Sequence, residues 1–147
     1  MVQQITPYKR GQYPMIEGNE RVYFDDEFRK IEQTIGQLVT ALNYNLVTGF
    51  IASGVVTLPA SAHLLNYAVI DTEAAGATDD LDTITSTQSG KVLVVSAANS
   101  SRTVVLKDGT GNLKLAGDCT LDNVEDSITL IKFGDDWIEL ARSNNGA

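Results

Sequence analysis

The chain of 147 residues has little of what metal, disulfide and catalytic sites need, with one cysteine, one histidine and one tryptophan. A single cysteine excludes an internal disulfide and a thiolate metal cluster within one chain. Cys119 lies in the alternating run GDCTL, which predicts a small buried side chain. His63 excludes a multi-histidine metal site within one chain and is interpreted as a surface or partly packed residue. The alternative is that three copies of His63 meet on a threefold axis.

Long apolar segments and an excess of basic residues are also missing. No uninterrupted apolar run approaches the roughly 18 residues of a membrane span, and the start MVQQITPYKR lacks the apolar centre of a signal peptide. We therefore expect synthesis in a cytoplasm and no membrane insertion. The formal net charge of −8 argues against a nucleic-acid partner, because phosphates would be repelled.

The charge is unevenly distributed along the chain. Residues 1–16 carry two basic and no acidic residues, whereas the chain from Tyr44 onward carries thirteen acidic and six basic residues. A basic N-terminal arm therefore precedes an acidic body. The arm, residues 1–20, also contains apolar and aromatic residues that a plain linker would lack. It is predicted to order on a partner surface, with plain disorder as the alternative, and its candidate anchors are Tyr8, Lys9, Arg10, Tyr13, Met15 and Ile16.

The sequence contains none of the common catalytic motifs. The nucleophile pattern G-x-S-x-G and the phosphate-binding loop pattern are both absent. Acidic residues cluster at 79–82 and 122–126, where they are typical of solvated turns and less so of a glycosidase carboxylate pair. The stretch KDGTGN begins like a calcium loop, but Leu113 and Lys114 replace the next ligands. We predict no catalytic residue, no metal and no cofactor, and hence no enzyme.

Residues 24–42 carry the most regular apolar pattern, within a helix predicted to begin near Phe24 and to end at the asparagines Asn43 and Asn45. The spacing alternates steps of four and three, which keeps one narrow seam on a helix and favours a coiled coil. Isoleucine at both core positions favours three or more chains. A helix packed on its own domain is the alternative, since the repeat covers under three heptads. The predicted trimer interface is Phe24, Phe28, Ile31, Ile35, Leu38 and Leu42.

From residue 46 the period changes to two, which predicts short strands. Asp108-Gly109-Thr110-Gly111 and Gly134-Asp135-Asp136 are predicted hairpin turns. No repeat of fixed period is found. The expected architecture is mainly β with one N-terminal helix: an arm (1–20), a trimerisation helix (21–45) and an antiparallel sandwich or jelly roll (46–147). The predicted strands are Val55 to Leu58, Tyr67 to Asp71, Lys91 to Ser96, Arg102 to Lys107, Asn112 to Leu115, Cys119 to Leu121, Ser127 to Phe133 and Trp137 to Arg142.

Trp137 is a candidate contact residue within FGDDWIEL. Alternation places Trp137 and Glu139 on one face, and Ile138 and Leu140 on the other, which we interpret as the core side. Trp137 on the outer face would offer a platform for a glycan or an anchor at a subunit contact. Packing inside the domain is the more ordinary alternative.

Two stretches, YFDDEFRKIEQTIGQL (residues 23–38) and GNLKLAGDCTLDNVEDSITLIKFGDDWIELARSNN (residues 111–145), carry a family resemblance. The chain resembles small tailed-phage virion proteins, namely capsid decoration or head-fibre proteins and the tips of tail fibres. The resemblance implies a homotrimer with its helices on the threefold axis, made in the host bacterium and displayed on the virion surface. The implied partner of the arm is the major capsid protein or another virion protein.

The chain lacks the shaft of a long tail fibre, so capsid decoration is the first expectation. A short tail fibre or receptor-binding subunit that binds a host surface glycan is the second. A free carbohydrate-binding module is the third, and a small hydrolase is the fourth.

Overall fold

The computed structural model describes residues 20–60, 65–86 and 90–145. Within these residues one α-helix is followed by strands and a single 3-10 turn at Glu73–Ala75, as the change of sequence period predicts. The helix is α1 (Glu20–Leu42), and it begins about one turn before the predicted start. The strands are β1 (Tyr44–Phe50), β2 (Val55–Thr57), β3 (Leu65–Asp71), β4 (Thr78–Leu81), β5 (Thr83–Thr85), β6 (Val92–Ala97), β7 (Thr103–Leu106), β8 (Leu113–Lys114), β9 (Cys119–Leu121), β10 (Ser127–Phe133) and β11 (Asp136–Ser143).

The strands form three sheets in a solenoid-like arrangement. Sheet A has six strands in the order β1-β3-β6-β10-β11-β8, sheet B pairs β2 with β5, and sheet C has the order β4-β7-β9. We define each turn of the solenoid as a coil: the first contains β1 and β2, the second β3, β4 and β5, and the third β6, β7 and residues 108–112. Between successive coils β3 is parallel to β1, β6 to β3, β5 to β2 and β7 to β4. After the third coil the pairing is antiparallel between β9 and β7, between β10 and β6, and between β11 and β10. The edge strand β8 pairs parallel to β11.

The predicted mainly β architecture with one helix is confirmed, but the antiparallel sandwich or jelly roll is wrong. Alternation in a short strand reports which residues are buried and not whether the neighbouring strand is parallel. The sequence shows no repeat of fixed period because the coils of the solenoid differ in length. Tyr44 pairs with Leu65, 21 residues on, whereas Leu65 pairs with Val92, 27 residues on.

One corner of the solenoid shows how the coils stack. The Gly54 carbonyl, in a residue with φ of 77°, accepts the backbone N–H groups of Asp82 and Thr83 at 2.9 and 3.1 Å. In the next coil, a Cβ atom on Gly111 would lie 2.1 Å from the Asp82 carbonyl oxygen, so only glycine fits there. The predicted hairpin at Asp108-Gly109-Thr110-Gly111 is therefore wrong, since these residues make a corner and β7 does not pair with β8.

The core lies between the three sheets. Each sheet turns alternate residues inward, and Trp137 packs among them with no exposed surface. Burial of this apolar set is the main stabilising contribution to the β region. The members with the least exposed surface include Ile51, Ile70, Leu81, Ile84, Leu93, Val95, Leu106, Leu113, Leu121, Ile128 and Leu130.

Asn112, in the third coil, lies beside β5 at the position that a further strand of sheet B would take. Its side-chain oxygen accepts the N–H of Ile84 at 3.0 Å, and its side-chain nitrogen donates to the Ile84 carbonyl at 2.9 Å. The indole N–H of Trp137 donates to the same carbonyl at 2.9 Å. One amide side chain thus pairs both backbone groups of Ile84, as a neighbouring strand would.

Candidate oligomerisation surface

The apolar seam of α1 lies on the surface of the chain. Phe28 is 63% exposed and Leu42 is 69% exposed, although both are large apolar side chains. Phe24, Ile35 and Leu38 are about half exposed, and Ile31 is intermediate. A contiguous apolar stripe of this kind on a helix usually marks a contact surface. A helix buried on its own domain, the alternative expectation, would have hidden these residues.

Outside the seam, the N-terminal half of α1 carries two internal ion pairs. Asp26 and Arg29 form an ion pair at 2.5 Å, and Glu27 and Lys30 form another at 2.6 Å. The hydrogen bond that the Lys30 ammonium donates to the Glu27 carboxylate raises the pKa of the ammonium above its ordinary value. These pairs join positions three residues apart, which supports the helix itself.

The helix ends where the first strand begins. The Asn43 N–H donates to the Val39 carbonyl at 3.1 Å, which closes the last helical turn. Only Asn43 separates Leu42 from Tyr44, the first residue of β1. Asn43 is one of the two predicted stop residues, whereas Asn45 belongs to β1. The seam and sheet A are therefore joined by a single residue.

The outer face of sheet A is a second exposed apolar surface, and the sequence reasoning missed it. Buried residues in β3 and β6, such as Ala68 and Leu93, point inward, so their neighbours along each strand point outward. The outward residues are mostly apolar, which gives runs such as LNYAVI and VLVV in place of a clean alternation. We define the outer face by Leu46, Leu65, Tyr67, Val69, Val92, Val94, Ile131 and Ile138.

In the described part of the chain, the charged groups of the outer face lie at its border, and they are paired with each other. Arg102 binds Asp71 through two hydrogen bonds of 2.7 and 2.6 Å. Lys114 lies 4.0 Å from Asp136 at the opposite border. Within the face, the Tyr67 hydroxyl and the Ser96 hydroxyl lie 2.9 Å apart and satisfy each other. The central rows therefore hold no charged side chain.

A shallow groove lies on this face beside Phe50. Its volume is about 480 Å³, and it is open to solvent. The lining is mainly apolar and consists of Thr48, Gly49, Phe50, Val69, Asp71 and Ala98. A groove of this kind can accept an apolar side chain from a neighbouring molecule.

Trp137 does not lie on the surface, and the predicted assignment of the two faces of β11 is wrong. The side chain is fully buried, with Lys132 over its ring at 5.5 Å, while Ile138 and Leu140 are exposed. Glu139 misled the prediction, because it shares the core side with Trp137 but is neutralised by Arg142 at 2.6 Å. In this position Trp137 offers no platform to a glycan.

Cys119 is buried, as predicted, and burial raises the pKa of its thiol. In the part of the chain that the structure describes, no group of three or more histidine, cysteine, aspartate or glutamate residues is placed to hold a metal ion. Among the same residues, no helix combines the length and apolar character needed to cross a membrane. His63 and the six candidate anchors of the arm, Tyr8, Lys9, Arg10, Tyr13, Met15 and Ile16, lie outside the described residues.

Neither the models of known protein families, nor the curated proteins, nor the solved structures contain a match to this chain.

Proposed function

We propose that the chain is a non-enzymatic structural protein that forms a homotrimer through α1 and serves as a capsid decoration or head-fibre protein on a phage virion. The observation that carries self-association is the exposed seam, in which six apolar side chains repeat at coiled-coil spacing. The virion assignment is supported by the sequence resemblance of residues 23–38 and 111–145.

A coiled coil gives the exposed seam a partner. Each buried apolar side chain contributes about 1.5 to 3 kcal/mol when it leaves water, and a trimer would bury the seams of three chains together. The isoleucine pair Ile31 and Ile35 in the middle of the seam favours three chains over two. The ion pair between Asp26 and Arg29 lies on the exposed side of α1, away from the seam, and stays in contact with water when the seam is covered.

Attachment to a particle is proposed to use the arm, residues 1–20. Lys9 and Arg10 would meet acidic groups of a capsid protein, and the aromatic anchors would insert into apolar depressions beside them. Joining three arms in one trimer raises the effective concentration of each arm after the first has bound. Weak individual contacts would then give firm attachment without any catalytic chemistry.

The oligomer is tested by light scattering on the full-length protein over a dilution series. A mass near three times 15.8 kDa is expected. A stable monomer at all concentrations would refute the trimer and would mean that the seam is not a contact between copies.

The virion role is tested separately, by deleting residues 1–19 and mixing the protein with capsids that lack decoration. The truncated protein should remain a trimer and lose particle binding, since the anchors are gone. Lys9→Ala with Arg10→Ala tests the charged part alone. Undiminished binding after the deletion would contradict the anchoring proposal while leaving the trimer intact.

A receptor-binding subunit that recognises a host glycan is the alternative proposal. Its candidate platform, Trp137, lies in the core, so the glycan would have to bind elsewhere. Saturable binding on a glycan array by the full-length protein would favour this alternative over decoration.

A further inference from the structure

The outer face of sheet A is an exposed apolar surface in a strongly acidic chain. It spans β1, β3, β6, β10 and β11, and its most exposed member, Leu46, keeps 58% of its surface in contact with solvent. A solitary exposed leucine is ordinary, but rows of apolar residues on four or five adjacent strands are not. Such a surface indicates a contact with another macromolecular surface.

The charge distribution indicates that the partner surface belongs to a second copy of this chain. Two copies of a chain with a net charge of −8 repel each other wherever acidic groups meet. The outer face avoids this repulsion, because its central rows are uncharged and its border carboxylates, Asp71 and Asp136, have basic neighbours in Arg102 and Lys114. It is thus a surface through which an acidic chain can approach its own copy closely.

The path of the chain gives the second argument. Leu42 lies at the end of the seam, and packed helices have axes about 8 to 10 Å apart. Tyr44 follows two residues later, and consecutive Cα atoms are 3.8 Å apart, so β1 begins within about 8 Å of the seam. Copies joined by α1 therefore hold their β1 strands close to one another.

The edge of sheet A at β1 adds a third argument. Among the described residues, β1 pairs with β3 on one side and with no strand on the other, and its sequence YNLVTGF contains no charge and no proline. Exposed edge strands usually carry such residues, which block association with other chains. Their absence in β1 is consistent with an edge that is covered in the assembled protein.

We propose that the outer face of sheet A, together with the groove beside Phe50, packs against a second copy of this chain around the axis formed by α1. The proposal rests on the trimer proposed above and extends it, because the contact between copies then continues from the helix into the β region. Leu46 and Leu65 lie at the beginning of this contact, next to the end of the seam.

The test compares Leu46→Glu with Val124→Glu in the full-length protein by light scattering across a dilution series. Both residues are exposed in the single chain, 58% and 45%, and both changes add one negative charge. Val124 lies in the turn between β9 and β10 and belongs neither to the outer face nor to the lining of the groove. Leu46→Glu should raise the concentration of half-dissociation at least about tenfold, as expected for one lost apolar contact and an added repulsion. Val124→Glu should leave it within about twofold of the wild type.

Leu65→Glu provides a second variant, with circular dichroism used to confirm that each protein is folded. If the wild type is a trimer and neither outer-face variant differs from Val124→Glu, the proposed contact is wrong and the helical trimer stands. A wild type that is monomeric overturns both proposals.

The arm of the same chain is the other possible occupant of the outer face, and a deletion distinguishes it. In protein lacking residues 1–19, Leu46→Glu should weaken association as much as in the full-length chain. Loss of the effect in the shortened protein would show that the arm covers the face, and would overturn the contact between copies.

Discussion

Asn112 is a single residue that performs the work of a strand. Its side chain pairs the N–H and the carbonyl of Ile84, and its nitrogen also donates to the Asp135 carbonyl at 3.2 Å. Its own backbone carbonyl accepts the Trp137 N–H at 2.8 Å. These bonds connect the third coil, the second coil and the terminal hairpin.

Asn112→Ala should therefore lower the free energy of unfolding by about 2 to 3 kcal/mol, because it leaves a partly buried N–H group without its partner. Urea denaturation monitored by Trp137 fluorescence measures the change. Asn123→Ala, in the turn between β9 and β10, is a comparison in which the lost bonds involve more exposed groups. Equal losses in the two variants would contradict the special role of Asn112.

Glu139 is a charged residue on the core side of β11 whose contacts make it sensitive to acid. Arg142 donates to both of its carboxylate oxygens at 2.6 Å, and the Ala116 N–H donates at 2.8 Å. The bond from Arg142 is the main cause of a carboxyl pKa below its ordinary value of 4.5. A lowered folded pKa means that the carboxylate stabilises the fold above that ordinary value and loses this effect as the pH falls.

Glu139→Gln should thus reduce the slope of stability against pH between about pH 5 and pH 3. Urea denaturation at several pH values measures the slope. Arg142→Ala should flatten it in the same way, since it removes the donor that lowers the carboxyl pKa. An unchanged slope in Glu139→Gln would mean that other carboxylates, such as Asp118 beside Lys107, dominate acid unfolding.

At the scale of elements, α1 combines an exposed seam with a paired charged surface. Ile31→Asp with Ile35→Asp should convert the proposed trimer to a monomer, because two carboxylates per chain would enter the apolar contact. Gln33→Asp with Thr40→Asp adds the same charge on the opposite side of the helix and serves as the control. Light scattering at one concentration compares the masses of the two double variants. A trimer that survives the isoleucine changes would mean that the contact between copies does not use the seam.

The sequence predicts the strands that have a local signal of their own and misses those that lack one. All eight predicted strands are present within a residue or two of their bounds, because each has a local run of β-branched or alternating residues. Of the missed strands, β1 follows the helix directly and β4 carries the acids Asp79 and Asp80, which are typical of turns. The third, β5, has only the three residues Thr83–Thr85. Their pairing depends on the neighbouring coil and not on their own sequence.

Of the two exposed apolar surfaces, the sequence predicts the seam of α1 and misses the outer face of sheet A. The seam of α1 was predictable, since a helix presents residues at fixed spacing whatever surrounds it. The outer face of sheet A was not, because it is assembled from strands up to about 90 residues apart, such as those of Leu46 and Ile138. The faces of Trp137 and Ile138 were exchanged for a related reason. Both sides of β11 are partly apolar, and only the position of the core distinguishes them.

At the scale of the whole molecule, the net charge of −8 opposes association of the copies. Salt should strengthen the proposed trimer, because screening shortens the range of repulsion from about 30 Å at 0.01 M to about 10 Å at 0.1 M. A dilution series at the two salt concentrations measures this, and the concentration of half-dissociation should fall as salt is added. A rise with salt would indicate that attractive ion pairs, and not apolar contacts, hold the copies together.

The two edges of sheet A differ, and the difference limits what the chain can build. One edge is the seven-residue strand β1, whereas the other is the two-residue strand β8, next to a β11 strand whose register shifts opposite Thr129 and Leu130. An unlimited stack needs matching edges at both ends of each unit, as in cross-β fibrils. Because β1 finds no counterpart of its own length on a neighbour's far edge, the strands of sheet A disfavour end-to-end stacking of copies into a filament.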